Sequence, residues 1–303
     1  MNEQNDKKSQ AARVVGDHRR QWRSCRFVYP VVSRRAGGLS VGINLNLDKR
    51  CNYSCMYCQV NRRIHGEKND IDINRLHDEL VETLNAFKTG EIWNEGNFVH
   101  TPAEYRRLND IAFSGDGEPT HITNFDQAVI AAVKALEDVG LKGCAKLVVI
   151  TNATNLMARQ VRNALSVLDA NRGEFWCKLD AGTEHYFRTV NRPVPGLTLE
   201  KICENILSIA VGRPVVIQTL WFKIDGKSPS DMELEAYAGR LRWLVGCGGQ
   251  IDHVQLHTIA RPPSAANASA MPDAELDEIA KKIIALVPGV KFHVYYGQDV
   301  KPQ

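Results

Sequence analysis

From residue 39 onward, short β-type runs alternate with segments of helical period, and this alternation leaves the chain few architectures. Strands are predicted at 39–47, 110–114, 146–151, 175–179, 215–222 and 253–259. Each is short and bounded by Gly, Asp, Asn or Pro, as strands buried on both faces of a parallel sheet are. Helices are predicted between and after them at 74–87, 124–139, 156–168, 199–210, 230–245 and 273–286. Six βα units in a row imply an α/β fold, a parallel sheet closed or partly closed as a partial (βα)6 barrel, with 290–296 as a seventh strand at its edge. Thr198 just before the helix at 199–210 reads as a cap, and Thr101-Pro102-x-Glu104 marks an extra short helix. Gly140, Gly212 and Gly246 are expected as left-handed stops.

A chain of 303 residues suits one such core, residues 39–303, preceded by a basic arm, residues 1–38. Residues 1–63 hold 13 Lys and Arg against 4 Asp and Glu. Arg19, Arg20, Arg23, Arg26, Arg34 and Arg35 could meet a phosphate backbone, which makes nucleic acid a candidate partner. The plainer reading is a solvated arm packed beside the domain by Trp22, Phe27 and Tyr29. No apolar run approaches the ~18 residues of a membrane span, so a soluble cytoplasmic protein without membrane contact is expected. Cys25, Cys144, Cys177, Cys203 and Cys247 are scattered, as reduced thiols are rather than a disulfide framework.

In barrels of this kind the chemistry sits at the carboxyl ends of the strands, where loops gather. Three cysteines follow the first strand in "LDKRCNYSCMYCQV", spaced Cys51-x3-Cys55-x2-Cys58. Three thiolates leave one ligand position open, whereas a closed zinc site takes four ligands and a complete four-iron cluster usually takes four cysteines. A zinc loop completed by His65 or Cys25 also satisfies the spacing, and so does a helical stripe of buried cysteines. Lys49 and Arg50 suit a loop that stabilises thiolates.

This spacing, with Tyr57 immediately before the third cysteine, resembles the signature of the radical S-adenosylmethionine (radical SAM) enzymes. The resemblance implies a 4Fe-4S cluster held by Cys51, Cys55 and Cys58, whose fourth iron is chelated by the amino and carboxylate groups of SAM. It further implies reductive cleavage of SAM to methionine and a 5'-deoxyadenosyl radical that abstracts a substrate hydrogen. Ser114-Gly115-Asp116-Gly117-Glu118 after the second strand is similar to the glycine-rich motif that holds the SAM amino group. Residues without Cβ let backbone approach a ligand, and a Glu118 carboxylate can accept from an ammonium. Many members have two adjacent glycines before the Glu; here Asp116 takes the first of those places.

Further cofactor-binding candidates are Asn152 after the third strand, Lys178 and Asp180 on one face at the end of the fourth, and His257 on the sixth. Gln218 on the fifth strand, and Gln255 with His257 on the sixth, could point inward, the period of two leaving open which set faces the lumen, and Arg192 and Arg261 could each hold a carboxylate or phosphate. "FSGDGEPT", "KLDAGTEHYFRTVNRP" and "VQLHTIARPP" together resemble the iron-sulfur oxidoreductase branch that also contains the wybutosine-synthesis enzyme acting on tRNA, over about residues 39–262. Without a flavodoxin-like domain in these residues, the resemblance implies an external reductant such as ferredoxin or flavodoxin. The expected substrate is a small metabolite or a partner protein. The alternatives are modification of tRNA or other RNA, and a non-catalytic cluster- or zinc-binding scaffold.

Overall fold

The computed structural model describes residues 22–33, 37–64, 66–67 and 70–297, which fall into two compact units. The first takes in the described residues of 22–50, 66–150 and 158–174; the second takes in those of 51–64, 151–157 and 175–297.

The sheet of the first unit runs in the order β1 (Val28–Ser33), β2 (Gly38–Ile43), β3 (Leu108–Phe113) and β4 (Lys146–Thr151). β1 is antiparallel to β2, and the remaining pairs are parallel. Helices α1 (Ile73–Thr89), α2 (Phe125–Asp138) and α3 (Arg159–Ala170) link the strands. Leu76, Leu80 and Leu84 of α1, and Phe125, Ala128, Ala132 and Ala135 of α2, are buried at helical spacing.

β1 is an element the sequence reading did not include. Its Pro30 cannot donate to a ladder, and β1 accordingly lies at the sheet's edge. The buried Glu79 carboxylate on α1 fixes its start, accepting from the backbone N–H groups of Arg26 (2.8 Å), Phe27 (2.7 Å) and Val28 (3.2 Å). Trp22, Phe27 and Tyr29 are buried, as the packed-arm reading expected. Arg23 pairs with Glu82, Glu91 and Glu95, and Arg26 pairs with Glu67. Arg19, Arg20, Arg34 and Arg35 lie outside the described residues.

In the second unit β5 (Glu174–Lys178), β6 (Val215–Leu220), β8 (Ile251–His257) and β10 (Phe292–Tyr295) form a parallel sheet in that order. β10 is the predicted seventh strand. β7 (Lys223–Ile224) pairs with β9 (Ala268–Ser269) in a separate antiparallel ribbon. The helices are α4 (Glu184–Val190), α5 (Leu199–Ala210), α6 (Asp231–Gly246) and α7 (Asp273–Leu286). Thr198 caps α5 by accepting from the Lys201 N–H, as expected.

The glycine stops need correction. Gly140 is left-handed (φ +73°), but Gly212 is not, and Gly246 is the last residue of α6, with the left-handed turn two residues later at Gly248 (φ +87°). Thr101-Pro102-x-Glu104 leads into a single 3₁₀ turn, Ala103–Tyr105. Among the described residues no helix is long and apolar enough to cross a membrane.

Candidate active site

In the second unit the cysteine loop is held by backbone pairing with the residues that end α4. The N–H groups of Ser54 and Met56, which flank Cys55, donate to Asn191 O (3.1 Å) and Val190 O (2.9 Å). Val194 N–H returns to Asn52 O at 3.0 Å, and Tyr53 bridges Pro193. Buried Tyr53 packs edge-on against Phe187 of α4, with ring centroids 5.6 Å apart. The loop is therefore not helical, and the buried-stripe reading of the cysteines does not hold.

Cys51, Cys55 and Cys58 are half-buried and free of disulfides. Each sulfur has a nitrogen donor within the unit: Asn152 Nδ2 at 3.8 Å from Cys51 Sγ, Asn191 Nδ2 at 3.6 Å from Cys55 Sγ, and an Arg62 guanidinium nitrogen at 3.6 Å from Cys58 Sγ. Desolvation, helped by the nearby Asp180 charge, pushes the Cys55 thiol up to about 12. Such a group gives up its proton when a cation takes the proton's place.

Among the described residues, no three of His, Cys, Asp or Glu converge on one metal-ion position. His65, one of the proposed fourth ligands of the zinc reading, lies outside the described residues. Half-buried thiols, each with an N–H donor, suit an iron-sulfur cluster, whose ligand sulfurs accept hydrogen bonds.

Tyr57, Lys178 and Asp180, three of the predicted site residues, meet in one network. The Asp180 carboxylate is fully enclosed. Its Oδ2 accepts from Tyr57 Oη (2.5 Å) and Asn191 Nδ2 (2.9 Å), and its Oδ1 accepts from Leu220 N–H (3.0 Å) and faces Lys178 Nζ (3.4 Å). Lys178 Nζ also stands 4.9 Å from the centre of the Tyr57 ring. Burial and the Asp180 charge raise the Tyr57 hydroxyl well above its usual value, so it remains a donor. Replacing Tyr57 by Phe leaves a buried carboxylate one donor short. We expect a loss of about 2 kcal/mol, read as a lower denaturation midpoint. An unchanged midpoint would show that the hydroxyl contributes nothing.

Asn152 is aimed by a tight turn. Its Oδ1 accepts from Thr154 N–H and Oγ1, its Nδ2 donates to Asn52 Oδ1 (2.6 Å), and Ala153 between them has φ +63°. A left-handed non-glycine residue carries strain that the surroundings must hold in place. Arg192, two residues after α4, is similar at φ +46°.

The glycine-rich stretch belongs to the first unit, after β3. Its turn wraps around two asparagines of the "NLN" run that follows β2. Asn44 Nδ2 donates to Asp116 Oδ2 (2.9 Å), Asn44 Oδ1 accepts from the Asp116 N–H (3.0 Å), and Asn46 Nδ2 donates to Glu118 O (3.3 Å). Asp116, the departure from the usual pattern, therefore has a definite structural role. Ser114 Oγ lies 3.0 Å from Tyr29 Oη. Glu118 is buried, and its Oε1 accepts from Thr120 N–H and Oγ1.

A Cβ on Gly115 would stand 2.2 Å from Asn44 Oδ1, and one on Gly117 would stand 2.1 Å from the Arg50 carbonyl oxygen. The Gly117 clash is with backbone and cannot be relieved by rotating a side chain. Gly117→Ala should therefore displace residue 50 and cost about 1–3 kcal/mol of stability, as overpacking does. Chemical denaturation checks this, and a wild-type midpoint would contradict it.

Gln218 and Gln255 face each other across β6 and β8, joined at 2.9 Å and buried. Thr219, one residue on, points instead to Tyr237 of α6, which settles which set of alternating side chains lies away from that helix. His257 ends β8, half-buried, and Arg261 is half-buried in the loop beyond. Arg192 Nε donates to Thr189 O. Asn44 and Asn191 are among the contributors the sequence reading missed. Asn44 could have been found from the Asn-x-Asn pair at a strand end, whereas Asn191 lay inside the quoted "VNRP" but was passed over for its arginine.

No family model matches the chain. It is 31% identical over 179 residues to the UPF0026 protein MJ1312 of Methanocaldococcus jannaschii, covering 59% of this chain and 48% of that one. The chain thus spans about half the length of that curated relative. A radical SAM methyltransferase from Sphaerobacter thermophilus is similar in structure, with TM-score 0.58 and 16% identity over 89% of this chain and 69% of that chain. A structure of TYW1 with a lysine-pyruvate adduct bound gives TM-score 0.50 and 13% identity over 81% and 73%. At such identities the likeness shows the fold. The chain has an α/β fold like that of the radical SAM methyltransferase.

Proposed function

We propose that this chain, folded as radical SAM enzymes are, is itself one. Cys51, Cys55 and Cys58 hold a 4Fe-4S cluster, and Ser114–Glu118 hold the SAM amino group. When bound, a cluster of this kind supplies one electron to the SAM sulfonium, releasing methionine and a 5'-deoxyadenosyl radical that takes a hydrogen from the substrate.

The observation that carries this reading is the set of three disulfide-free thiols on one pinned loop, each with its own nitrogen donor. Within the second unit, Asn152 steadies Cys51. Asp180 acts through Tyr57, Lys178 and Asn191, since its carboxylate is enclosed by those donors. Gly115 and Gly117 keep the turn of the first unit narrow, and Asn44 and Asn46 set its shape. His257 stays a candidate for contact with SAM at the end of β8.

An external reductant, ferredoxin or flavodoxin, supplies the electron. The substrate is proposed to be a small molecule or a protein. Arg23 and Arg26 of the basic arm are engaged by carboxylates, which disfavours RNA as the partner of those two residues. The test is release of 5'-deoxyadenosine from anaerobically reconstituted, reduced protein given SAM, repeated with fractionated cell extract. Stimulation by one fraction would lead to the substrate, and absence of 5'-deoxyadenosine throughout would refute the activity.

A further inference from the structure

The Asn191 side chain joins Cys55, Tyr57 and Asp180, and the Tyr57 hydroxyl is a second hydrogen-bond partner of Cys55. The Asn191 amide nitrogen lies 3.6 Å from Cys55 Sγ, 3.3 Å from Tyr57 Oη and 2.9 Å from Asp180 Oδ2. A carboxylate can only accept, so it is the nitrogen and not the oxygen of the amide that faces this group. Asn191 is 2% exposed, and its position is fixed from several sides. Its N–H caps α4 by donating to Phe187 O (2.9 Å), its carbonyl receives Ser54 N–H (3.1 Å), and the preceding carbonyl receives Met56 N–H (2.9 Å). The backbone before Cys55 is thus tied to Asn191, and the backbone after it to the neighbouring Val190. Reorienting the amide would require breaking that pairing or abandoning Asp180.

Resting on the proposed cluster, we infer that Asn191 is a positioning residue that donates an N–H···S hydrogen bond to the Cys55 thiolate and thereby raises the reduction potential of the cluster. Hydrogen bonds to ligand sulfurs stabilise the more negative, reduced state and set potentials together with solvent exposure. Asp180 anchors the amide, so the donor is preorganised and loses little freedom when the thiolate forms. Cys51 and Cys58 have donors as well, but Asn152 is held by a strained turn and Arg62 by a long flexible side chain. The Cys55 contact is the one backed by a buried carboxylate.

The experiment is a redox titration, followed by electron paramagnetic resonance, of anaerobically reconstituted wild type, Asn191→Leu and Asn191→Ala. Leu keeps the shape of the amide without its donor; Ala is the smaller fallback where Leu fails to pack. Thermal unfolding of each metal-free protein is recorded beside it. The expected result is a midpoint potential shifted negative in whichever variant loads iron, beyond any change in unfolding temperature. Unchanged potentials with a lowered unfolding temperature would make Asn191 merely structural and overturn the inference, while the radical SAM reading stood. A wild type that assembles no cluster would instead overturn that reading, and the inference with it.

Discussion

Cys55→Ala is expected to abolish cluster assembly, with bound iron falling from about four per chain to less than about one and 5'-deoxyadenosine formation dropping by at least ~10³-fold, more than 4 kcal/mol. Two thiolates cannot hold a cube that needs three protein ligands and leaves its last iron for SAM. The fold should survive, because the contacts that fix the loop are backbone contacts that alanine preserves: Ser54 and Met56 to residues 190–191, and Cys58 N–H to Cys55 O at 3.0 Å. Losing one sulfur from a half-buried site should cost only about 1–2 kcal/mol. Iron analysis and circular dichroism on the same preparation separate the two effects. A folded variant that still assembled a full cluster and cleaved SAM would show that Cys55 is not a ligand.

Glu79→Ala has the largest expected effect on stability. One buried carboxylate accepts from three consecutive backbone N–H groups at the start of β1 and from Arg75 Nε at 2.8 Å. Truncation leaves those donors without their acceptor on the buried side of an edge strand. The cost should be about 3–5 kcal/mol, seen as a large drop in denaturation midpoint and early proteolysis near residue 28. Glu79→Gln, which keeps the shape but turns an N–H2 group toward backbone donors, should cost about 2 kcal/mol. If both variants unfold like the wild type, β1 is held by its ladder to β2 alone.

The fold was largely legible because buried parallel strands are short apolar runs and the helices between them carry a clear period. β4 starts and ends where predicted, α7 spans the predicted residues, and β10 is the predicted edge strand. What escaped has physical causes. β1 is interrupted by Pro30 and follows a basic stretch, so it reads as arm rather than strand. α4 has seven residues, too few for a helical period to stand out. Gly246 ends α6 in helical geometry because the left-handed turn fell to Gly248, a choice of two residues that sequence does not make.

The candidate site divides in the same way. The cysteines, Tyr57, Lys178 and Asp180 carried a motif or a shared strand face, and the structure gathers Tyr57, Lys178 and Asp180. Asn191 lay inside a quoted stretch but on no shared strand face. Its role comes from tertiary pairing between residues over a hundred positions apart, which no local pattern records. The turn at Ser114–Glu118 was recognisable by its glycines, but the reason they must be glycines, the neighbouring Asn44 side chain and Arg50 carbonyl, is visible only in three dimensions.

Electron paramagnetic resonance of the anaerobically reconstituted and reduced protein, recorded before and after adding SAM, bears most directly on whether this protein leaves one iron for its cosubstrate. The account predicts the signal of a reduced 4Fe-4S cluster whose spectrum changes on addition of SAM. A cluster spectrum indifferent to SAM, or no iron signal at all, would contradict it.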